Sequence, residues 1–237
     1  CERGCASGRD LYLRRVALDR TPLSPGEARG QMLRETVAAQ ILSAMRVLHE
    51  RPVGEALRGL ESLRAVPAGN GESNLPAVDA SGQAQMDAIA EFEYHRIAAR
   101  VADVLARQPS IGQSGLATLA LPAVVDLPLD GRFLGLSRHI SVDAVTPFEC
   151  MVMHLEFGPP RDYHRLTTAG YAMVMESLYE SPVNVGCVTY VDIEGGMVKV
   201  ERDFHLIDDE LRQWFVEIRD ELMRVVSEEV DPGRPGE

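Results

Sequence analysis

The sequence predicts an α/β fold whose first half is helical and whose second half carries strands between helices. Two long segments before residue 108 repeat their apolar residues at helical spacing, and after residue 118 the period shortens to that of strands. Two glycine-bearing turn signals, Asp130-Gly131 and Glu194-Gly195-Gly196, fall within that second half.

Arg9 to Val16 is a short amphipathic segment, and Thr21-Pro22 and Ser24-Pro25-Gly26 break the chain after it. A helix is predicted from Gly26 to Glu50, with Met32, Leu33, Val37, Ile41, Leu42, Met45 and Leu48 on one face. Pro52 ends it, because a proline nitrogen cannot donate the next helical hydrogen bond. The density of Pro, Gly, Asn and Ser over residues 67 to 83 predicts a mobile loop. A second helix follows from about Gln85 to Gln108, with Ile89, Phe92, Ile97, Val101, Val104 and Leu105 as its buried stripe.

Leu119 to Leu127 and Arg132 to Val145 are predicted strands, joined through Pro128-Leu129-Asp130-Gly131 as a hairpin. Cys150 to Phe157 is a third strand, which Gly158-Pro159-Pro160 stops. A helix then runs from about Asp162 to Glu180 through Leu166, Ala169, Tyr171, Met173 and Leu178. Val183 to Asp192 and Met197 to Phe204 form a further hairpin, and Asp208 opens a last helix reaching about Glu229. That helix buries Leu211, Phe215, Ile218, Leu222 and Val225, with Trp214 near them.

A chain of 237 residues is long enough for a sizeable core, and no apolar run approaches the ~20 residues of a membrane span, so a soluble protein without a membrane partner is expected. The chain begins at Cys1 without a methionine or a signal segment and reads as trimmed at that end. Its net charge is -12, and Lys199 is the only lysine among 24 basic residues. An acidic surface resists nonspecific duplex binding, so DNA contact calls for a local arginine face. Cys1, Cys5, Cys150 and Cys187 are too few for a secreted disulfide framework, which favours a reducing, cytoplasmic setting. Cys150 and Cys187 adjoin apolar runs and read as core residues. Cys1 and Cys5 could reach one metal or cluster, although two thiolates cannot close a four-ligand site. No internal repeat and no glycine-rich phosphate loop is present, which disfavours nucleotide-driven chemistry.

Asp143 lies at the end of one predicted strand, and His154 and Glu156, two residues apart on the next, point to one face. Such a convergence suits a metal-dependent nuclease, in which carboxylates hold a divalent ion beside the scissile phosphate and a lysine usually assists.

Three stretches carry a wider resemblance. They are Cys5-Ala6-Ser7-Gly8-Arg9-Asp10 to Leu13, the segments 135–144, 151–158 and 162–172, and Arg219-Asp220-Glu221 with Asp231-Pro232-Gly233-Arg234-Pro235. In this order they resemble the RecB-like CRISPR-associated iron-sulfur exonucleases of the adaptation module, and their archaeal branch in particular. The resemblance implies a RecB-like PD-(D/E)XK nuclease core, a central mixed sheet flanked by helices, with an α-helical N-terminal half. It implies one nuclease domain over residues 1–237, with a helical insert at 50–118 and an N-terminal cysteine segment at 1–15. Its cofactors would be magnesium or manganese, and a 4Fe–4S cluster that takes Cys1 and Cys5 together with further cysteines beyond Glu237. It names Asp143, His154, Glu156 and Tyr171 as catalytic positions, with Asp143 and His154 as metal ligands.

The departures lie at those same positions. Where the family has a Glu-x-Lys triplet this chain has His154-Leu155-Glu156, and Arg34 stands at the family's metal-binding histidine, four residues after Gly30. The family's glutamine in the helix that follows is absent, although Tyr171 remains; taken alone, Tyr171 reads as core packing. Two readings stay open. Asp143, His154 and the Leu155 carbonyl could hold a divalent ion with Glu156 as base. Alternatively, Arg34 pairs with Asp143 or Glu156 and its guanidinium fills the metal position. His49, His95, His139, His164 and His205 read singly as solvated or hydrogen-bonded.

By resemblance the protein would trim or select DNA ends before spacer integration, with DNA and the CRISPR integrase subunits as partners. The alternative is an inactive subunit that binds DNA ends or the integrase and positions them. A metal-stabilised interaction domain is a third reading.

Overall fold

The structure is a computed structural model, and it describes residues 9–17, 24–64 and 79–233. Helix α1 (Arg9–Arg15) lies against the last helix of the chain. Helix α2 (Pro25–Glu50) opens on a reciprocal cap: Glu27 donates its N–H to the Ser24 hydroxyl, and Ser24 donates its N–H to the Glu27 carboxylate at 2.8 Å. Arg51 leaves the helix in extended conformation ahead of Pro52. The buried stripe of α2 is Ala28, Met32, Thr36, Gln40, Ala44 and Leu48, with Leu33 beside it. This row advances by fours, so it runs through two polar residues and leaves Leu42, predicted to be buried, 46% exposed on the opposite side.

Helices α3 (Ala56–Leu60), α4 (Ala80–Arg107) and α5 (Gln113–Ala120) complete the helical half. Leu48, Leu60, Ile97, Val101, Leu116 and Ala120 close their shared core. The Asp79 carboxylate accepts the Gly82 N–H at 2.7 Å and starts α4 five residues before Gln85. The expected loop over 67–83 is therefore helical in its last four residues, and its part up to residue 78 lies outside the described residues. Helix α5 occupies the start of the predicted strand 119–127.

One five-stranded sheet, ordered β1-β2-β3-β4-β5, makes up the second half. Its strands are β1 (Val124–Leu129), β2 (Ile140–Thr146), β3 (Met151–Glu156), β4 (Val185–Glu194) and β5 (Met197–Leu206). Only β3 and β4 are parallel, joined by a crossover through α6 (Arg165–Tyr179); the other pairs are antiparallel, so the sheet is mixed. Pro128 is accommodated because β1 is an edge strand. Asp130-Gly131 does not form a two-residue turn. Gly131 has φ -86°, and its N–H and carbonyl bond to Ser137 and Leu136 inside a longer connection. The β4–β5 hairpin turns where the sequence indicates, on Gly195 and Gly196 at φ 57° and 79°.

Helix α7 (Asp209–Glu228) packs with α6 on the face of the sheet that carries Val142 and Val152. Gly170 permits their close approach, since a Cβ there would stand 2.7 Å from the Phe215 ring. Met153 and Leu155, which alternate with Val152 along β3, face a cleft lined by α2 and α4. Helices thus flank a central mixed sheet, and the N-terminal half is helical. Among the described residues no helix is long and apolar enough to cross a membrane.

Candidate active site

Asp143 and His154 face each other where β2 parts from β3. The ladder between these strands pairs Ala144 with Met153 and goes no further toward the Glu156 end of β3. Beyond it the Asp143 carboxylate takes over. Its Oδ2 accepts the Leu155 backbone N–H at 2.7 Å and the His154 Nδ1–H at 2.8 Å. His154 is 5% exposed. Its other nitrogen, Nε2, lies 3.3 Å from Glu156 Oε2, a contact whose geometry falls short of a hydrogen bond and which acts through charge.

The imidazole therefore bridges two carboxylates. Burial on its own pushes the His154 pKa down, but the hydrogen bond to Asp143 and the proximity of Glu156 outweigh it, and the net shift is upward. Burial pushes Glu156 up, and His154, then His164 and Arg34, outweigh that and hold it below the usual carboxylate range. A carboxylate stabilised in this way is a weak base toward water.

Arg34 reaches this group from α2. Its Nη1 donates a long hydrogen bond, 3.5 Å, to the Leu155 carbonyl and stands 4.0 Å from Glu156 Oε2. The carbonyl expected as a third metal ligand thus accepts from a guanidinium. The ring of Tyr171, on α6, meets that of His154 edge-on with centroids 6.3 Å apart, while its body packs at the margin of the core.

The structure adds two residues that the linear sequence did not single out for the site. Tyr190 is the register partner of Glu156 across the parallel pair, and its hydroxyl lies 3.2 Å from Nδ1 of the buried His164 and 3.5 Å from the Arg161 carbonyl. With the hydroxyl donating to that carbonyl, His164 Nδ1–H donates to Tyr190. No signal along the chain joins residues 164 and 190; the crossover brings them together.

Cys1 and Cys5 lie outside the described residues. Cys187 is fully buried in β4, its thiol pushed up chiefly by that burial, and Cys150 is exposed. Among the described residues no group of three or more His, Cys, Asp or Glu side chains stands ready to hold a metal ion. Asp143, His154 and Glu156 direct their donor atoms at one another, so this arrangement does not fit a divalent ion as it stands.

A family model described as CRISPR-associated exonuclease Csa1 matches residues 1–237. Two curated relatives carry that same name. One, from Saccharolobus solfataricus, is 34% identical over 124 residues, which cover 52% of this chain and 42% of the relative. The other, from Thermoproteus tenax, is 27% identical over 233 residues, 97% of this chain and 74% of the relative. The matched stretch thus covers less than half the length of the first relative and about three quarters of the second. No solved structure matches the chain.

Proposed function

The chain belongs to the family of the CRISPR-associated exonuclease Csa1, and from that membership we propose that it acts on DNA ends in spacer acquisition, in the cytoplasm, through a nuclease centre held largely closed. The observation that supports this reading is the position of His154, whose two ring nitrogens each face a carboxylate, Asp143 and Glu156. In a working centre that space belongs to a divalent ion, which activates water and neutralises the phosphate. Here the His154 ring, whose proton is held more tightly than an ordinary histidine's, stands between the two carboxylates, while Arg34 donates to the third acceptor and faces the outer side of Glu156. The consequence is a protein that engages DNA ends and cleaves them slowly, beside the integrase subunits that would receive those ends.

Asp143 and His154 are the residues that would hold magnesium or manganese, and each now occupies the other. Cys1 and Cys5 are those that would contribute thiolates to an iron-sulfur cluster. Iron and sulfide content, with visible absorption of the anaerobically purified protein, would decide that assignment.

The test of the function uses labelled single-stranded and overhang-bearing DNA with magnesium or manganese. Retention of DNA ends with slow or undetectable cleavage is expected. Rapid metal-dependent cleavage that disappears in Asp143→Asn would overturn the closed centre, and failure to retain any DNA end would overturn the function.

A further inference from the structure

Strand β5 forms one edge of the sheet and is paired only with β4 among the described residues. The two run in unbroken register from Glu194–Met197 to Val185–Leu206, with no bulge along β5. On its outer side alternate residues therefore direct N–H and C=O groups away from the sheet. The opposite edge is blunted: β1 carries Pro128, and Asp126, at φ 54°, drops out of its ladder with β2. β5 has no proline and no positive φ, and it exposes Met197 at 66%, Phe204 at 61% and Leu206 at 69%. A straight edge of this length, with large apolar side chains in solvent, is a template for a further strand.

The charges along β5 select that strand. A two-fold axis normal to the sheet sets one β5 antiparallel to another, around a residue that faces its own copy. The registers that overlap most of the strand are centred on Val200, Glu201, Arg202 or Asp203. The last three oppose a charged residue to itself, which is destabilising. Centred on Val200, the pair sets valine against valine and Lys199 against Glu201 of the other copy, once on each side of the axis. Val198 then lies opposite Arg202 and Met197 opposite Asp203, so no like charges meet, and Phe204 comes beside the Gly195–Gly196 turn, around which a side chain has open space. Lys199 can exchange partners, because its bond to Glu194 at 2.7 Å is an exposed ion pair of little worth.

We propose that two copies of this chain associate through β5, which pairs antiparallel with itself about Val200 and joins the two sheets into one. This interface is independent of the DNA-end reading and lies on the sheet edge, away from Asp143.

Light scattering and sedimentation across a concentration series read the mass. The chain is expected to pass from 26.0 kDa toward twice that mass as concentration rises. Lys199→Glu and Glu201→Lys each turn both cross-copy pairs into like-charge pairs, and each should weaken dimerisation roughly tenfold. Both side chains are exposed, so folding is unaffected. Mixed together, the two variants again oppose unlike charges across the interface, and a heterodimer of near-natural affinity is expected. A monomer at every concentration, a dimer indifferent to both substitutions, or a mixture no tighter than either variant alone overturns the proposal.

Discussion

The Asp143 carboxylate accepts the backbone N–H of Leu155 at 2.7 Å, in the place where a strand neighbour's carbonyl would otherwise stand. The same oxygen accepts His154 Nδ1–H, so one side chain both ends a strand ladder and anchors the candidate site. Asp143→Ala orphans a backbone donor and a buried ring together, and a loss of about 3 kcal/mol in folding free energy is expected. Asp143→Asn retains an acceptor for Leu155 and should cost about half as much. Urea unfolding of the two variants measures this, and a loss under 1 kcal/mol for Asp143→Ala would show that the carboxylate is dispensable to the fold.

The bridge also sets a pH dependence. The folded protein holds the His154 proton more tightly than the unfolded chain does, so this contribution is complete below about pH 6.5 and fades as pH rises through the elevated folded value. Glu156, held low, contributes above about pH 4.5 and loses its share as pH falls through its folded value. His205, depressed mainly by burial, acts in the opposite sense to His154 and favours the fold above about pH 6.5. The total therefore conceals the bridge, and a difference reveals it. The stability gap between the natural protein and His154→Gln should narrow from pH 6 to pH 9. A gap constant over that range would mean that His154 is not held as the cation.

Gln40 offers a separate test of the helical half. It is 1% exposed on α2, and neither amide atom has a hydrogen-bond partner among the described residues. Burying an amide without partners costs about 1–3 kcal/mol. Gln40→Met keeps the length of the side chain and removes the polar atoms, so it should raise the thermal midpoint by several degrees. A lowered midpoint would indicate that Gln40 has a partner after all, such as a bound water.

Rebuilding the family pattern gives the strongest chemical contrast. Arg34→His, His154→Glu and Glu156→Lys together would install the histidine, the glutamate and the lysine that the resemblance leads one to expect at these positions. Because His154 is 5% exposed, its replacement sets a second carboxylate beside Asp143 at a buried position, where the two repel each other unless a cation lies between them. The triple variant should be less stable than the natural protein in chelator, recover on addition of millimolar magnesium, and cleave single-stranded DNA. A thermal midpoint indifferent to magnesium would argue against a metal position between these residues.

Much of this arrangement is legible in the sequence. The period of two along β3 places His154 and Glu156 on one face, and Gly195-Gly196 fixes the last hairpin because only that pair supplies the two left-handed residues of a tight turn. The failures have local causes. The run from Leu116 to Leu129 is apolar almost throughout, so period alone could not separate α5 from β1, and the boundary lies at Leu121 and Pro122. Asp130-Gly131 carries the composition of a hairpin turn, but the chain continues through a helical turn at Arg132–Leu134 before β2 begins. His164 and Tyr190 escaped notice because their meeting depends on β4 lying parallel to β3, which no local pattern announces.

That parallel junction divides the assembly of the site in time. Asp143 and His154 sit on consecutive antiparallel strands with a short turn between them, and such a pair can form within microseconds. Glu156 meets Tyr190 only after the helix of the crossover has formed and β4 has been laid down beside β3, a closure over more than thirty residues that is intrinsically slower. The aspartate–histidine contact is thus a local one, between residues eleven apart in the chain, whereas the glutamate's far side is closed by a residue thirty-four positions on. A change in the crossover helix is therefore felt at Glu156 before it is felt at Asp143.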